Sequence, residues 1–192
     1  MTNVLVVDDT KNIRMLLTKC LELENCTVAS AESGREALDI LQKRTFDLVF
    51  LDVRMPEISG TEVLKKIREK EINTPVIMMT AFGTVKNAVE CTQLGAVAYM
   101  QKPFTENKVH QTMQAVLQNI QSREESLLEL LKMASEQIVC EQLDEAEALL
   151  KNNLSRFFME PAIYRMLAEI YEKKGVSDQA RKCMAIANSI LK

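Results

Sequence analysis

The chain has 192 residues, 47% of them hydrophobic and 27% charged but only 5% aromatic, with five glycines and four prolines. That length holds one domain of ordinary size and a small second one, and so little Gly and Pro argues against a collagen-like or all-β chain. With 24 basic and 27 acidic residues, net −3, there is no bulk electrostatic case for nucleic acid, and five scattered cysteines without a C-x-x-C pair argue against a disulfide frame or a zinc site.

Cys20, Cys26, Cys91, Cys140 and Cys183 are expected as buried small hydrophobes in a reducing compartment. The first residues carry no basic stretch and no apolar run approaches the length of a bilayer, so no leader, no membrane partner and a cytoplasmic location are expected. Residues 4–7, 46–51 and 75–79 are near-continuous apolar segments, which fits strands buried on both faces; residues 26–29 and 96–100 are weaker members of the set. Between them Ile13, Leu16, Leu17, Cys20 and Leu21 recur at helical spacing, as do Val63, Leu64 and Ile67, then Val85, Val89 and Leu94. Strand and helix alternate five times, which predicts an α/β fold with a doubly wound parallel sheet.

After Pro103 the character changes. No Gly or Pro occurs from Phe104 to Glu160, and Val109, Met113, Val116, Leu117 and Ile120 form one helical stripe. Ser122-Arg-Glu-Glu125 has the form of a capping box, so a new helix is expected there, the alternative being a helix that runs straight on. The boundary is placed near Ser122, giving domains 1–121 and 122–192. Within the second, Ala146 and Ala180 take the same place in successive repeating units, and each stands four before a large apolar residue, Leu150 or Met184. Tyr164, Leu167, Ala168, Tyr171 and Gly175 take the large–large–small–large–turn positions of such a helix–turn–helix unit, and the offset from Ala180 back to Ala146 carries them onto Leu130, Met133, Ala134, Gln137 and Glu141. The pattern resembles the tetratricopeptide repeat, in about two copies with the first degenerate, and predicts an all-α helical-repeat domain. The eleven methionines are expected mostly in the core.

Asp8-Asp9 follows the first strand, Asp52 ends the third, Thr80 the fourth and Lys102-Pro103 the fifth. In an open parallel sheet the carboxyl ends of the strands form the ligand crevice. Singly, each of these is an ordinary turn, cap or strand residue; in this order they converge on one site. Three carboxylates there repel one another unless a cation is shared, and hard oxygen ligands suit Mg²⁺. A metal-neutralised Asp beside a Lys suits nucleophilic attack on a phosphoryl group.

Val4-Leu-Val-Val-Asp8-Asp9, Leu51-Asp52-Val-Arg54-Met55-Pro56 with Gly60, Met79-Thr80-Ala81-Phe82-Gly83 and Tyr99-Met-Gln-Lys102-Pro103-Phe104 resemble the receiver domain of two-component response regulators, over about residues 2–121 and with likeness to the nitrogen-regulator class. The resemblance implies a flavodoxin-like sheet of order 2-1-3-4-5. It implies that Asp52 accepts a phosphoryl group from a histidine kinase, and that Asp8, Asp9, Asp52 and the Arg54 carbonyl hold Mg²⁺. Lys102, Thr80 and Ala81 would stabilise or admit the phosphoryl group, and Thr80 and Tyr99 would form the switch. Arg54 and Phe82 would tune the lifetime of the phosphorylated state.

His110, the lone histidine, is expected to be solvated. Residues 124–192 hold 9 basic and 12 acidic residues, so DNA is an unlikely partner for the tail. The expected function is a response regulator, not an enzyme, whose helical tail binds a protein partner or a second copy as a homodimer. The alternatives are a relay intermediate with a dimerising tail and a transcriptional regulator with an unrecognised DNA-binding tail; a phosphatase tail has no acid–base constellation to support it. Phe82→Glu is expected to lose the phosphoryl group several-fold faster than the parent, and a decay of labelled protein no faster than the parent's refutes the assignment.

Overall fold

The computed structural model describes the backbone of residues 1–81 and 85–190, and side chains within these except at 85–87. Two compact units are present, Met1–Gln118 and Asn119–Lys192. The first alternates β1 (Asn3–Val7), α1 (Lys11–Leu23), β2 (Thr27–Ala31), α2 (Gly34–Lys43), β3 (Leu48–Asp52), α3 (Gly60–Glu69), β4 (Val76–Thr80), α4 (Val85–Gln93) and β5 (Ala98–Gln101). α5 (Glu106–Val139) begins in the first unit and ends in the second, which continues with α6 (Leu143–Asn153), α7 (Pro161–Lys173) and α8 (Ser177–Ile190).

The sheet is wholly parallel in the order β2-β1-β3-β4-β5, as the motif resemblance implied. Every residue of β3 and β4 is buried, and so are Val4–Val7 of β1, because helices cover both faces. Leu5, Val7, Val49, Leu51, Val76 and Met78 alternate onto one face, against Ala37 and Leu41 of α2 and Val63, Leu64 and Ile67 of α3. Each such fully buried side chain contributes about 1.5–3 kcal/mol relative to exposure. Strand register then sets the edge that matters. Val7 pairs with Leu51, Asp52 with Met79 and Thr80 with Gln101, so Asp8, Asp52, Thr80 and Lys102 emerge at neighbouring levels.

Two helices of the first unit start on serine. The Ser59 hydroxyl accepts the Glu62 N–H while the Glu62 carboxylate accepts the Ser59 N–H, and Ser33 accepts the Glu36 N–H. The box expected at Ser122 does not form. α5 runs through it, with the Ser126 hydroxyl donating to the Ser122 carbonyl and Gln121 donating to Glu125. The apolar stripe is helical on both sides of Ser122 and no breaker interrupts it, so continuing costs less than a new nucleus.

Several other placements differ from expectation. Cys140 is exposed, beyond the last apolar residue of its turn. Val89 is half-exposed, and among the described side chains of α4, which do not include Val85, Cys91 is the buried one. Met133, Met159 and Met184 are exposed instead of core. In the second unit Ala146, Leu150, Leu167, Ala168, Tyr171 and Ala180 are buried and Tyr164 is half-buried. Leu150 of α6 is covered in the cluster it shares with α7, whereas on α8 Cys183 packs against the cluster and Met184 is left exposed. The Glu147 carboxylate of α6 ties α7 to it, accepting from Lys151, from Lys174 and from the Tyr171 hydroxyl, and these bonds hold its pKa down at about 2.

Helix ends repeat one motif. After α5, the Gln142 N–H donates to the Gln137 carbonyl (2.9 Å) and the Glu141 N–H to Ile138 (3.2 Å); after α7, Val176 donates to Tyr171 (2.8 Å) and Gly175 to Glu172 (3.0 Å). Each bond recurs at the offset that separates Ala146 from Ala180, and the pivot is left-handed in both, Glu141 at φ 60 and Gly175 at φ 76. A glutamate pays about 1 kcal/mol there that glycine does not. Glu141→Gly is therefore expected to stabilise the second unit by about 1 kcal/mol, read as a higher urea midpoint at unchanged slope.

Candidate functional site

The centre of the first unit's polar edge is one ammonium between two carboxylates. Lys102 Nζ lies 2.5 Å from Asp8 Oδ2 and 2.7 Å from Asp52 Oδ1. Asp8, Asp52 and Thr80 are the buried polar side chains among the described residues. The remaining carboxylate oxygens are met by the chain itself: the Thr10 N–H donates to Asp8 Oδ1 (3.0 Å) and the Arg54 N–H to Asp52 Oδ2 (3.1 Å). The Lys102 N–H donates to the Thr80 carbonyl at 2.6 Å, and the Lys102–Pro103 bond is cis.

Burial raises the Asp52 carboxyl above its ordinary range; Lys102 and the Arg54 N–H oppose this, and the Asp8 charge adds to it. Burial also disfavours the Lys102 ammonium, but its bonds to Asp52 and Asp8 and their charges outweigh that and hold it above its usual value. Lys102 is therefore charged at neutral pH, and two buried carboxylates share a single positive charge.

Of the residues singled out from sequence, Asp8, Asp52 and Lys102 are brought into contact, with Thr80 buried at the adjoining strand end. Asp9 sits on the exposed rim, where its carboxylate takes the Thr10 hydroxyl at 3.4 Å, and no three His, Cys, Asp or Glu among the described residues stand ready as a metal cluster. Ala81 is exposed, Tyr99 packs against the apolar cluster, and Phe82 lies outside the described residues. His110 is half-exposed and 3.3 Å from Glu24.

The donor set fits Mg²⁺ in chemistry: hard carboxylate oxygens, buried, with one negative charge more than Lys102 balances. Asp8 and Asp52 would hold it, with Asp9 and the Arg54 carbonyl beside them.

One supporting residue escapes sequence reading, and a second, Gly60, is named by the motif without its reason. Arg14 Nη1 donates to the carbonyls of Asp8 (2.8 Å) and Asp9 (3.1 Å), fixing the acidic loop. Its signal is a basic residue one helical turn past an Asp pair. A Cβ on Gly60 would stand 1.9 Å from the Asp52 carbonyl oxygen, so only glycine lets α3 start against the end of β3.

Residues 4–114 match the family model for the response regulator receiver domain. The chain belongs to that family. It is 39% identical over 115 residues to the regulatory protein AtoC of Escherichia coli K12, covering 60% of this chain and 25% of AtoC. It is 42% identical over 116 residues to the transcriptional regulatory protein ResD of Bacillus subtilis, covering 60% of this chain and 48% of ResD. The chain thus spans a quarter to a half of the length of these curated relatives, and the family match ends before the second unit. Among solved structures, chemotaxis protein CheY4 of Vibrio cholerae is similar at TM-score 0.58 and 35% identity, over 60% of this chain and 98% of CheY4. TrrA of Thermotoga maritima, a structure in complex with Mg²⁺ and BeF, is similar at TM-score 0.55 and 35% identity, over 60% of this chain and 99% of TrrA. Among the described residues no helix is long and apolar enough to cross a membrane.

The receiver's buried charge imbalance has a measurable consequence. Asp52→Asn leaves a one-to-one Asp8–Lys102 pair, so it is expected to raise stability at pH 7 by about 1 kcal/mol. A carboxyl whose folded pKa is raised destabilises the fold fully above that pKa and not at all below its unfolded value. The advantage of Asp52→Asn should therefore shrink as pH falls through the carboxylate range, and urea midpoints that diverge instead would refute the charge argument.

Proposed function

We propose that Asp52 accepts a phosphoryl group from a histidine kinase, with Mg²⁺ present, and that this event switches what the helical tail can bind. The carrying observation is the Asp8–Lys102–Asp52 contact at the crevice end of a parallel sheet. An Asp52 carboxylate oxygen attacks phosphorus as the donor's N–P bond breaks, giving an aspartyl phosphate and a neutral histidine. Asp52 suits this as a carboxylate that burial has left poorly solvated. Mg²⁺, when bound, neutralises charge on the carboxylates and on the transferring oxygens. Lys102 leaves its bridge between the carboxylates to pair with a phosphoryl oxygen.

The modification adds about −1.5 to −2 charge units to a pocket that already lacks a counter-charge. Thr80, at the next strand end, moves to donate its hydroxyl to a phosphoryl oxygen, and Tyr99 turns inward to the space it leaves. Ala81 keeps access open, and Arg54 and Phe82 set how readily water attacks. The surface of α4, β5 and the start of α5 thereby changes between two packings. The chain is a switch and not an enzyme with a substrate of its own, and it works in the cytoplasm.

We read the tail as tetratricopeptide-like. The repetition of the α5 and α7 end turns at the Ala146-to-Ala180 offset supports this, as does the burial of Ala134, Ala168, Ala146 and Ala180. Its 12 acidic against 9 basic residues argue for protein, not DNA, as the partner.

Incubation with Mg²⁺ and labelled acetyl phosphate should give one hydroxylamine-labile label per chain, lost in Asp52→Asn. An Asp52→Asn protein that labels like the parent overturns the assignment. Sedimentation of the chain with Mg²⁺ and beryllofluoride, against Mg²⁺ alone, reads the switch: a shift in mass or shape absent from Asp52→Asn is expected.

A further inference from the structure

The α6–α7 junction is a template for a contact the chain does not make with itself. Leu150 of α6 and Leu167 of α7 are buried in one apolar cluster, and beside them the Tyr171 hydroxyl of α7 donates to Glu147 Oε1 of α6 at 2.8 Å. Displaced by one repeat, the α6 face recurs on α8 with Met184 for Leu150 and Arg181 for Glu147. The α7 face recurs on α5 with Met133 for Leu167 and Gln137 for Tyr171. Among the described residues both recurring faces leave their methionine exposed. Leu150 and Leu167 are 0% and 2% exposed, Met184 and Met133 39% and 46%.

The polar pair is reversed on both sides at once. Within the chain α7 donates and α6 accepts. Gln137 on α5 is half-buried, and its Oε1 is an acceptor turned inward without a hydrogen bond among the described residues, so a change of rotamer brings an unmet acceptor to the face. Arg181 on α8 is a donor whose ion pair among the described residues is with exposed Asp178, one turn away on the same helix, a kind that contributes little. What each face lacks is what the other presents, methionine for methionine and donor for acceptor.

We propose that the chain assembles head to tail, the Met184–Arg181 face of α8 in one copy seating on the Met133–Gln137 face of α5 in a second copy. This deepens, and rests on, the reading of the tail as an interaction module. The two surfaces are different patches, so the contact is heterologous and leaves an open end on each dimer. Methionines suit such a junction, being flexible enough to pack against a partner yet tolerable in water.

The full 192-residue chain is tested by sedimentation from about 1 to about 500 μM, the range in which weak interfaces register. The weight-average mass should rise with concentration and pass the dimer. Met133→Glu and Met184→Glu should each weaken association by at least about tenfold, since each buries a carboxylate against methionine. An equimolar mixture of the two should regain association and stop at the dimer, because one variant keeps an intact α8 face and the other an intact α5 face. Arg181→Glu should also weaken association, and adding Gln137→Arg in the same chain should restore it. All four positions are on the surface or half-buried, and unchanged thermal melting of each variant checks that folding is intact.

A chain monomeric throughout overturns the proposal and leaves a partner protein or a further helical segment as the occupant of these faces. A mixture that does not regain association overturns the head-to-tail geometry. Label on Asp52 is read in the same samples: its loss with assembly intact defeats the phosphoacceptor reading alone, and loss of assembly with label intact defeats this one alone.

Discussion

One lysine holds two carboxylates below the surface of this molecule, and the rest of the receiver is organised around keeping it there. Lys102 can reach both Asp8 and Asp52 only because β1 and β3 are neighbours in register and β5 stands one strand beyond β4. Burial of an ion costs several kcal/mol even after relaxation, so the arrangement survives only with every oxygen met. The backbone meets them: Thr10 N–H on Asp8 and Arg54 N–H on Asp52, with Arg14 bracing the loop from behind. The apolar strands that surround the site supply the stability it consumes.

The parts of this site legible in the sequence are those carried by strand ends. A short apolar run followed by a polar residue reports both a buried strand and the place where polarity resumes, which is why Asp8, Asp52, Thr80 and Lys102 can be named together. What is not legible depends on close approach. Gly60 belongs to the motif, but why it must be glycine is not legible until the Asp52 carbonyl is placed 1.9 Å from where a Cβ would stand. Asp9 looks equivalent to Asp8, yet one faces the lysine and the other the solvent, a difference of successive side-chain direction at a strand's end. Periodicity also cannot tell one long helix from two that abut, and α5 takes the long solution because Ser122 can bond within a helix as well as cap one.

The tail shows the same limit in another form. On the proposed reading its repeat is legible in small and large apolar residues, while degeneracy at Glu141 and Gln137 suggests a fold half lost. The backbone keeps the turn regardless, bending Glu141 into the left-handed conformation that Gly175 adopts freely. Among the described residues five carbonyl-closing turns end the same way, at Asn25, Glu71, Gly95, Glu141 and Gly175, and three of the five tolerate a side chain. Turn geometry is therefore set by the helices packing on either side, and turn residues adjust the cost. Side chains at the degenerate positions carry a different kind of information, since Met133 and Gln137 differ from their counterparts where those counterparts face another helix.

On the proposed reading, charge connects the buried site to the switch. A site with one ammonium for two buried carboxylates is poised between states, because any added cation relieves it and any added anion strains it. Moving a two-state equilibrium from 1:99 to 99:1 takes about 5.5 kcal/mol, more than one hydrogen bond supplies. On the proposed reading the increment comes from several sources acting together: a phosphoryl charge, a lysine released from two carboxylates, and a threonine at the adjoining strand end. Asp8 then matters as much as Asp52. Were Asp8 neutral, Lys102 would be matched by Asp52 alone, the resting state would lie in a deeper well, and the same phosphoryl group would shift the population less. On that reading, the apparent redundancy of two aspartates on one lysine is what would keep the resting state shallow enough to leave.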